Sequence, residues 1–156
     1  MQVIVVGGST QLGGLLLWRL IGQRRVKQIL AIDSIPPAAA SPKLKWTIAH
    51  PTDPGLERHC EGADALIYAG FVSPGPETPE GAGPRIVIDA AKVSIPTLIG
   101  VSSCVAFGAE RATSVALDRA LEEVQTQHST VRVVRLRPAF LNDANVAGAP
   151  PIERAE

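Results

Sequence analysis

The chain has little of several residues that would announce a particular class of protein. Two cysteines, one methionine and one tyrosine occur in 156 residues. Cys60 and Cys104 fall in different predicted elements, where a disulfide framework would use more of them. Reduced thiols and a cytoplasmic location are therefore expected. Charge of one sign is not in excess either: 15 Lys and Arg offset 15 Asp and Glu. That balance argues against nucleic acid or an anionic membrane as the main partner. The small basic cluster Arg24, Arg25 and Lys27 suits a solvated helix end and the helix dipole. No uninterrupted apolar run reaches the length of a membrane span. The apolar N-terminus lacks a basic leader, is broken by glycines and meets Arg19, so a signal peptide is not expected. No internal repeat is present. With 46% hydrophobic and 19% charged residues, one globular domain with a full core is expected.

What is present is concentrated at the start. Val3–Val6 is a β-branched run suited to a buried strand. It stops at Gly7-Gly8, and an apolar helical pattern begins near Gln11. A strand, a glycine turn and a helix are the context in which a glycine motif signals dinucleotide binding. Gly7 permits the tight turn, and Gly13 lets the helix lie close to the strand. The helix N-terminus offers N–H groups to a pyrophosphate. The middle glycine, where the backbone approaches the phosphates, is replaced by Thr10 in either register of the motif. Asp33 closes the second predicted strand about twenty residues after Gly13, where a carboxylate would accept the adenine ribose hydroxyls and disfavour a 2′-phosphate. The alternative is a turn aspartate before Ser34.

Strands are expected over residues 2–6, 28–32, 45–49, 65–69, 97–102 and 131–136. Helices are expected over 11–23, after Thr52-Asp53-Pro54, over 85–92 and over 112–127. Leu12, Leu15, Leu16 and Leu20 set the buried face of the first helix. Residues 34–42 form a Pro/Ala loop. Residues 73–84, with four prolines and three glycines, exceed an ordinary connection and read as a mobile loop or flap. The alternation predicts a Rossmann-like α/β fold. Its parallel sheet is doubly wound, with strand order 3-2-1-4-5-6, over residues 1–141 and followed by a loosely ordered tail at 142–156. Ligands of such sheets bind where the order reverses, between strands 1 and 4, which places Ala69 and Gly70 beside the glycine turn.

Val-Val-Gly-Gly-Ser-Thr-Gln-Leu-Gly13, Ile-Asp33, Thr52-Asp53, Asp64-Ala-Leu-Ile-Tyr-Ala-Gly70, Val101-Ser-Ser-Cys-Val-Ala-Phe-Gly108 and Arg135-Leu-Arg-Pro138 follow one another in a familiar order. In that order and spacing the chain resembles the extended short-chain dehydrogenase/reductases, the NAD-dependent epimerase/dehydratase group. The resemblance covers about residues 1–141. It implies NAD as cofactor, with Gly7, Thr10, Gln11, Leu12 and Gly13 along the pyrophosphate and Asp33 on the ribose. His50 stands where the family places an aspartate toward the adenine amine. Ala69 and Gly70 flank the cofactor, and Ser103 matches the active-site serine.

The family's acid/base pair, a tyrosine and a lysine four residues later, falls on Arg111 and Val115. No shift of alignment restores it, because the only tyrosine is Tyr68 in strand 4 and the last lysine is Lys92. The chain also stops after strand 6, where the family continues into a substrate lobe. No metal-ligand spacing links His50, His59 and His128. The expectation is a catalytically degenerate nucleotide-binding, sensing or interaction module. One alternative is an active oxidoreductase or epimerase using other acid/base groups or a partner subunit; another is a scaffold without cofactor. A homodimer or other protein partner is expected through the helices after strands 4 and 5. Ile86, Val87, Ala90 and Ala91 make the first apolar. Val115, Ala116, Leu117, Ala120, Leu121 and Val124 on the second are too widely spread for one sheet face to cover.

Overall fold

β-Branched side chains at Val3, Ile4, Val5 and Val6 can be buried on both faces of a strand only at the centre of a parallel sheet. In the computed structural model they form β1 (Gln2–Val6), and all four are at most 1% exposed. The structure describes residues 1–50, 53–70, 85–102 and 109–137, and within the last of these it describes side chains from Ser114 onward. Six parallel strands run in the order β3-β2-β1-β4-β5-β6. They are β1, β2 (Gln28–Asp33), β3 (Leu44–Ile48), β4 (Ala65–Tyr68), β5 (Thr97–Val101) and β6 (Arg132–Leu136). This is the Rossmann-like, doubly wound order that the alternating pattern predicts.

The two faces bury different sets of alternate residues. Val3, Val5, Ile29, Ala31 and Ile67 lie on the side covered by α1 (Gln11–Ile21). Ile4, Val6, Ile32, Leu66 and Leu98 lie on the side covered by α2 (Glu57–Cys60), α3 (Arg85–Lys92) and α4 (Ala109–Gln127). A fully buried Ile or Leu contributes roughly 1.5–3 kcal/mol. The sheet interior, buried from both sides, is therefore the main source of stability.

Several local expectations change. The buried stripe of α1 centres on Gly13 and Leu17, the latter fully buried, with Leu16 and Leu20 beside it; Leu12 and Leu15 are only half-buried. The helix stops at Ile21 with Gly22 at the cap position, and Lys43, before β3, donates its ammonium to the Ile21 and Gln23 carbonyls at 3.0 and 3.1 Å. A cation on terminal carbonyls is a helix C-cap. α2 is short and begins at Glu57, after Thr52-Asp53-Pro54 as expected. Its cap position is Leu56 without a side-chain bond, and Asp53 instead accepts the His50 N–H at 2.7 Å.

The surplus apolar surface expected on α3 and α4 is not there. Ile86, Val87, Ala90 and Ala91 are at most 1% exposed, and Ala116, Leu117, Ala120, Leu121 and Val124 at most 9%. α3 and α4 pack on each other as well as on the sheet, so a wider arc of each helix is covered within one chain. Val115 alone of the named positions is exposed, at 44%. The expected flap at 73–84, the tail at 142–156 and the domain limit at 141 lie outside the described residues.

Candidate nucleotide site

The carboxyl ends of β1, β2 and β4 meet at the reversal of strand order. Gly7 leaves β1 with φ +85°, a left-handed conformation natural to glycine. Its N–H donates to the Ile32 carbonyl at 3.0 Å, while Ala69 N–H donates to the Val6 carbonyl at 2.9 Å. A β-carbon on Gly7 would run into the Gly70 carbonyl oxygen, and one on Gly13 into the Gly7 carbonyl oxygen. The outer glycines of the motif are thus required by the close approach of α1, β1 and β4 themselves. Gly70 has φ +97°, a conformation natural to glycine, and among the described residues the nearest atom to a β-carbon added there is Thr10 Cγ2 at 4.0 Å.

Thr10 proves to be a helix cap. With φ −69° and ψ 158° it is extended, and its Oγ1 accepts the Gly13 N–H at 2.9 Å. The same hydroxyl donates to the Gly7 carbonyl at 2.7 Å, with the Ala69 carbonyl 3.3 Å away. The residue that reads as a lost glycine therefore ties the ends of β1 and β4 to the start of α1. The sequence signal was available: threonine immediately before an apolar helical pattern is a good N-cap.

Asp33 is buried, at 2% exposure, and its carboxylate is fully engaged. Oδ2 accepts the Ser9 N–H at 2.7 Å and the Ser9 hydroxyl at 2.6 Å. Oδ1 accepts the Ser34 N–H at 2.7 Å, with the Ser34 hydroxyl at 3.4 Å. Asp33 is thus a turn aspartate, and it also stands against the glycine turn as a ribose ligand would. Ser9 went unrecognised in the sequence because no local spacing reveals a partner 24 residues away. Beside Asp33 in register is Ile48, 60% exposed, and Ile35 follows it at 52%. These two apolar side chains near the carboxylate would suit the face of a flat base. His50 is half-buried, two residues beyond Ile48.

Of the remaining predicted groups, Ser103 and Cys104 lie outside the described residues. Gln11 is exposed and Leu12 half-buried at the start of α1. Tyr68 is 3% exposed in the core on the side of α2–α4. Burial, and secondarily the Asp33 carboxylate, push its phenol well above the usual range. The one tyrosine of the chain is therefore held as a neutral core group. Cys60 is likewise buried; desolvation, then Asp89 and Glu57, push its thiol up to about 12. Ser102, at the end of β5, donates to Asp118 on α4 at 3.4 Å, and Asp118 pairs with Arg137 at 2.7 Å. Among the described residues no group of three or more His, Cys, Asp or Glu could hold a metal, and no helix is long and apolar enough to cross a membrane.

No family model and no curated protein sequence matches the chain. Solved structures do. UDP-glucuronic acid 4-epimerase from Bacillus cereus, in complex with NAD, superposes with a TM-score of 0.69 at 10% identity, over 88% of this chain and 56% of the epimerase. A short-chain dehydrogenase/reductase superfamily protein from Agrobacterium tumefaciens with bound NAD gives 0.68 at 14%, over 88% and 48%. Triphenylmethane reductase from Citrobacter sp., complexed with NADP(H), gives 0.63 at 19%, over 94% and 52%. The chain has the fold of the short-chain dehydrogenase/reductases. It spans about half the length of these structures. Within that fold the residues present suit a dinucleotide in kind and place, with a glycine turn, a helix N-terminus and an acidic side chain ending β2. Ser9 and Thr10 hydroxyls already occupy two of its polar groups.

Proposed function

We propose that this chain is a nucleotide-binding domain of the epimerase/dehydratase type that has lost the chemistry of that group and acts in sensing or interaction. The observation that carries the reading is the position of Asp33. Its carboxylate ends β2 and touches the glycine turn through Ser9, at the point of strand reversal. A nucleotide would lie with its ribose at Asp33, its base toward Ile35, Ile48 and His50, and its phosphates over Leu12 and the start of α1. Ala69 and Gly70 would flank its far end. An adenine dinucleotide without a 2′-phosphate suits a buried carboxylate, so NAD is preferred to NADP.

Loss of chemistry is supported by what stands at the acid/base positions. Arg111 is always protonated and Val115 has nothing to titrate. Tyr68 is buried in β4, and Lys92 ends α3 before β5 begins. Ser103 alone has an unactivated hydroxyl. General acid–base assistance is worth roughly a hundred- to ten-thousandfold in rate, and the standard tyrosine and lysine that would supply it are not at those positions. Self-association would use the exposed Val115 on α4 rather than the buried faces of α3 and α4.

Titration with NAD, NADH, NADP and NADPH tests the binding, and a screen of nucleotide sugars and small carbonyl compounds by NADH absorbance tests the chemistry. Saturable NAD binding without turnover is expected. Robust turnover abolished by Ser103→Ala would show an active enzyme, and no binding would show a scaffold.

A further inference from the structure

An ionised carboxylate offers about four acceptor positions, and at Asp33 all four are taken by this chain's own groups. Two are backbone N–H groups, of Ser9 and Ser34, each at 2.7 Å. Those cannot leave without reshaping the ends of β2 and of the glycine turn. The other two are hydroxyls, Ser9 Oγ at 2.6 Å and Ser34 Oγ at 3.4 Å. A hydroxyl can leave by rotation about one side-chain bond. The Ser34 contact to Asp33 is long and therefore the weaker of the two. Ser9 Oγ is short and charge-assisted, the stronger kind of hydrogen bond.

We propose that Ser9 Oγ is an internal stand-in for a ribose hydroxyl, which a nucleotide must displace from Asp33 Oδ2 in order to bind. This rests on the nucleotide reading and adds to it the residue that sets affinity and selectivity. In the empty state Ser9 keeps the buried carboxylate satisfied; no buried side-chain polar atom is left unpartnered among the described residues. In the filled state the ribose bond replaces the Ser9 bond, so the exchange gains little. Wild-type protein therefore discriminates weakly between a ribonucleotide and its counterpart lacking both ribose hydroxyls. Removing the Ser9 hydroxyl uncovers the preference. It also destabilises the empty protein, because a buried acceptor loses its donor.

The test compares wild type, Ser9→Ala and Ser9→Cys by calorimetry with ADP and with 2′,3′-dideoxy-ADP, and by thermal melting with and without ADP. The cysteine variant nearly keeps the volume with a weaker donor. Ser9→Ala is expected to bind ADP about five- to tenfold more tightly than wild type, the worth of one hydrogen bond. It should bind dideoxy-ADP no better, and Ser9→Cys should lie between. Empty Ser9→Ala should melt below wild type, with the gap narrowing under saturating ADP. If wild type binds ADP and both variants bind it equally well, or gain equally on dideoxy-ADP, the Ser9 proposal fails while the nucleotide reading stands. If none of the three binds ADP and none shows a shift in melting, both fail.

Discussion

Thr10 Oγ1 accepts the Gly13 N–H at 2.9 Å, and in doing so it caps the helix whose N-terminus would receive a pyrophosphate. One residue thus serves the fold and, in the proposed nucleotide site, would compete with the ligand for the Gly13 N–H. Replacing an N-cap threonine by alanine costs about 1 kcal/mol, and by glycine a few tenths. Thr10→Ala should lower unfolding free energy by about that amount in urea titrations, with Thr10→Ser close to wild type. Thr10→Gly, which clears the methyl near Gly70 and frees the Gly13 N–H, should tighten NAD binding. Low-micromolar binding by wild type, unimproved in Thr10→Gly, would mean that Thr10 does not hinder the phosphates.

Glycines of the motif should separate by mechanism. At Gly7 and Gly13 an added β-carbon meets backbone carbonyls that cannot yield, so Gly7→Ala and Gly13→Ala should abolish soluble folded protein. At Gly8 the nearest obstacle is Leu17 Cδ1 at 3.0 Å, a side-chain end that can turn aside. Gly8→Ala should remain folded with only a modest loss in melting temperature. Comparable expression and melting of all three variants would contradict this packing.

The architecture was open to reading because it rests on periodic signals. β-Branched runs buried on both faces and alternation with helices suffice for the strand order. The outer glycines and Asp33 were legible by spacing. The site's internal wiring was not. Ser9 meets Asp33 and Lys43 meets Ile21 across long separations, and such pairings arise only when the turns close. The capping role of Thr10 was missed for another reason. Against a glycine motif it looks like a defect, whereas against helix-capping chemistry it is the expected residue. The dimer face on α3 and α4 was overestimated because helix-on-helix packing within the chain covers what a single sheet face could not.

Alkaline pH should destabilise the protein through Cys60 and Tyr68. Both have folded pKa values above their ordinary ones of 9.0 and 10.0, Cys60 reaching about 12. The unfolded chain releases these protons first, so the folded state binds more protons at high pH. Stability is then fully present below about pH 8 and falls as pH rises from there through the folded values. Cys60→Ala should flatten part of that slope between pH 9 and 12 in denaturation titrations. The Cys60 thiol should also resist alkylation at pH 8 until the protein unfolds.

The Asp118–Arg137 pair closes the end of β6 against α4, but the arginine side chain is 54% exposed. Such a pair is worth at most about 1 kcal/mol and is screened by salt. Arg137→Gln should lower the melting point slightly at low ionic strength and have no measurable effect at 1 M salt. A large loss at both would show that Arg137 has a further packing role.

The most direct test of the account is calorimetric titration of NAD into wild type and Asp33→Asn, a nearly isosteric change that removes the charge while keeping an acceptor. Wild type should bind NAD saturably, more weakly than low micromolar and more tightly than NADP, and Asp33→Asn should lose the discrimination between the two by gaining NADP affinity. Equal binding of NAD and NADP by wild type, or undiminished discrimination between them by a folded Asp33→Asn protein, would contradict it.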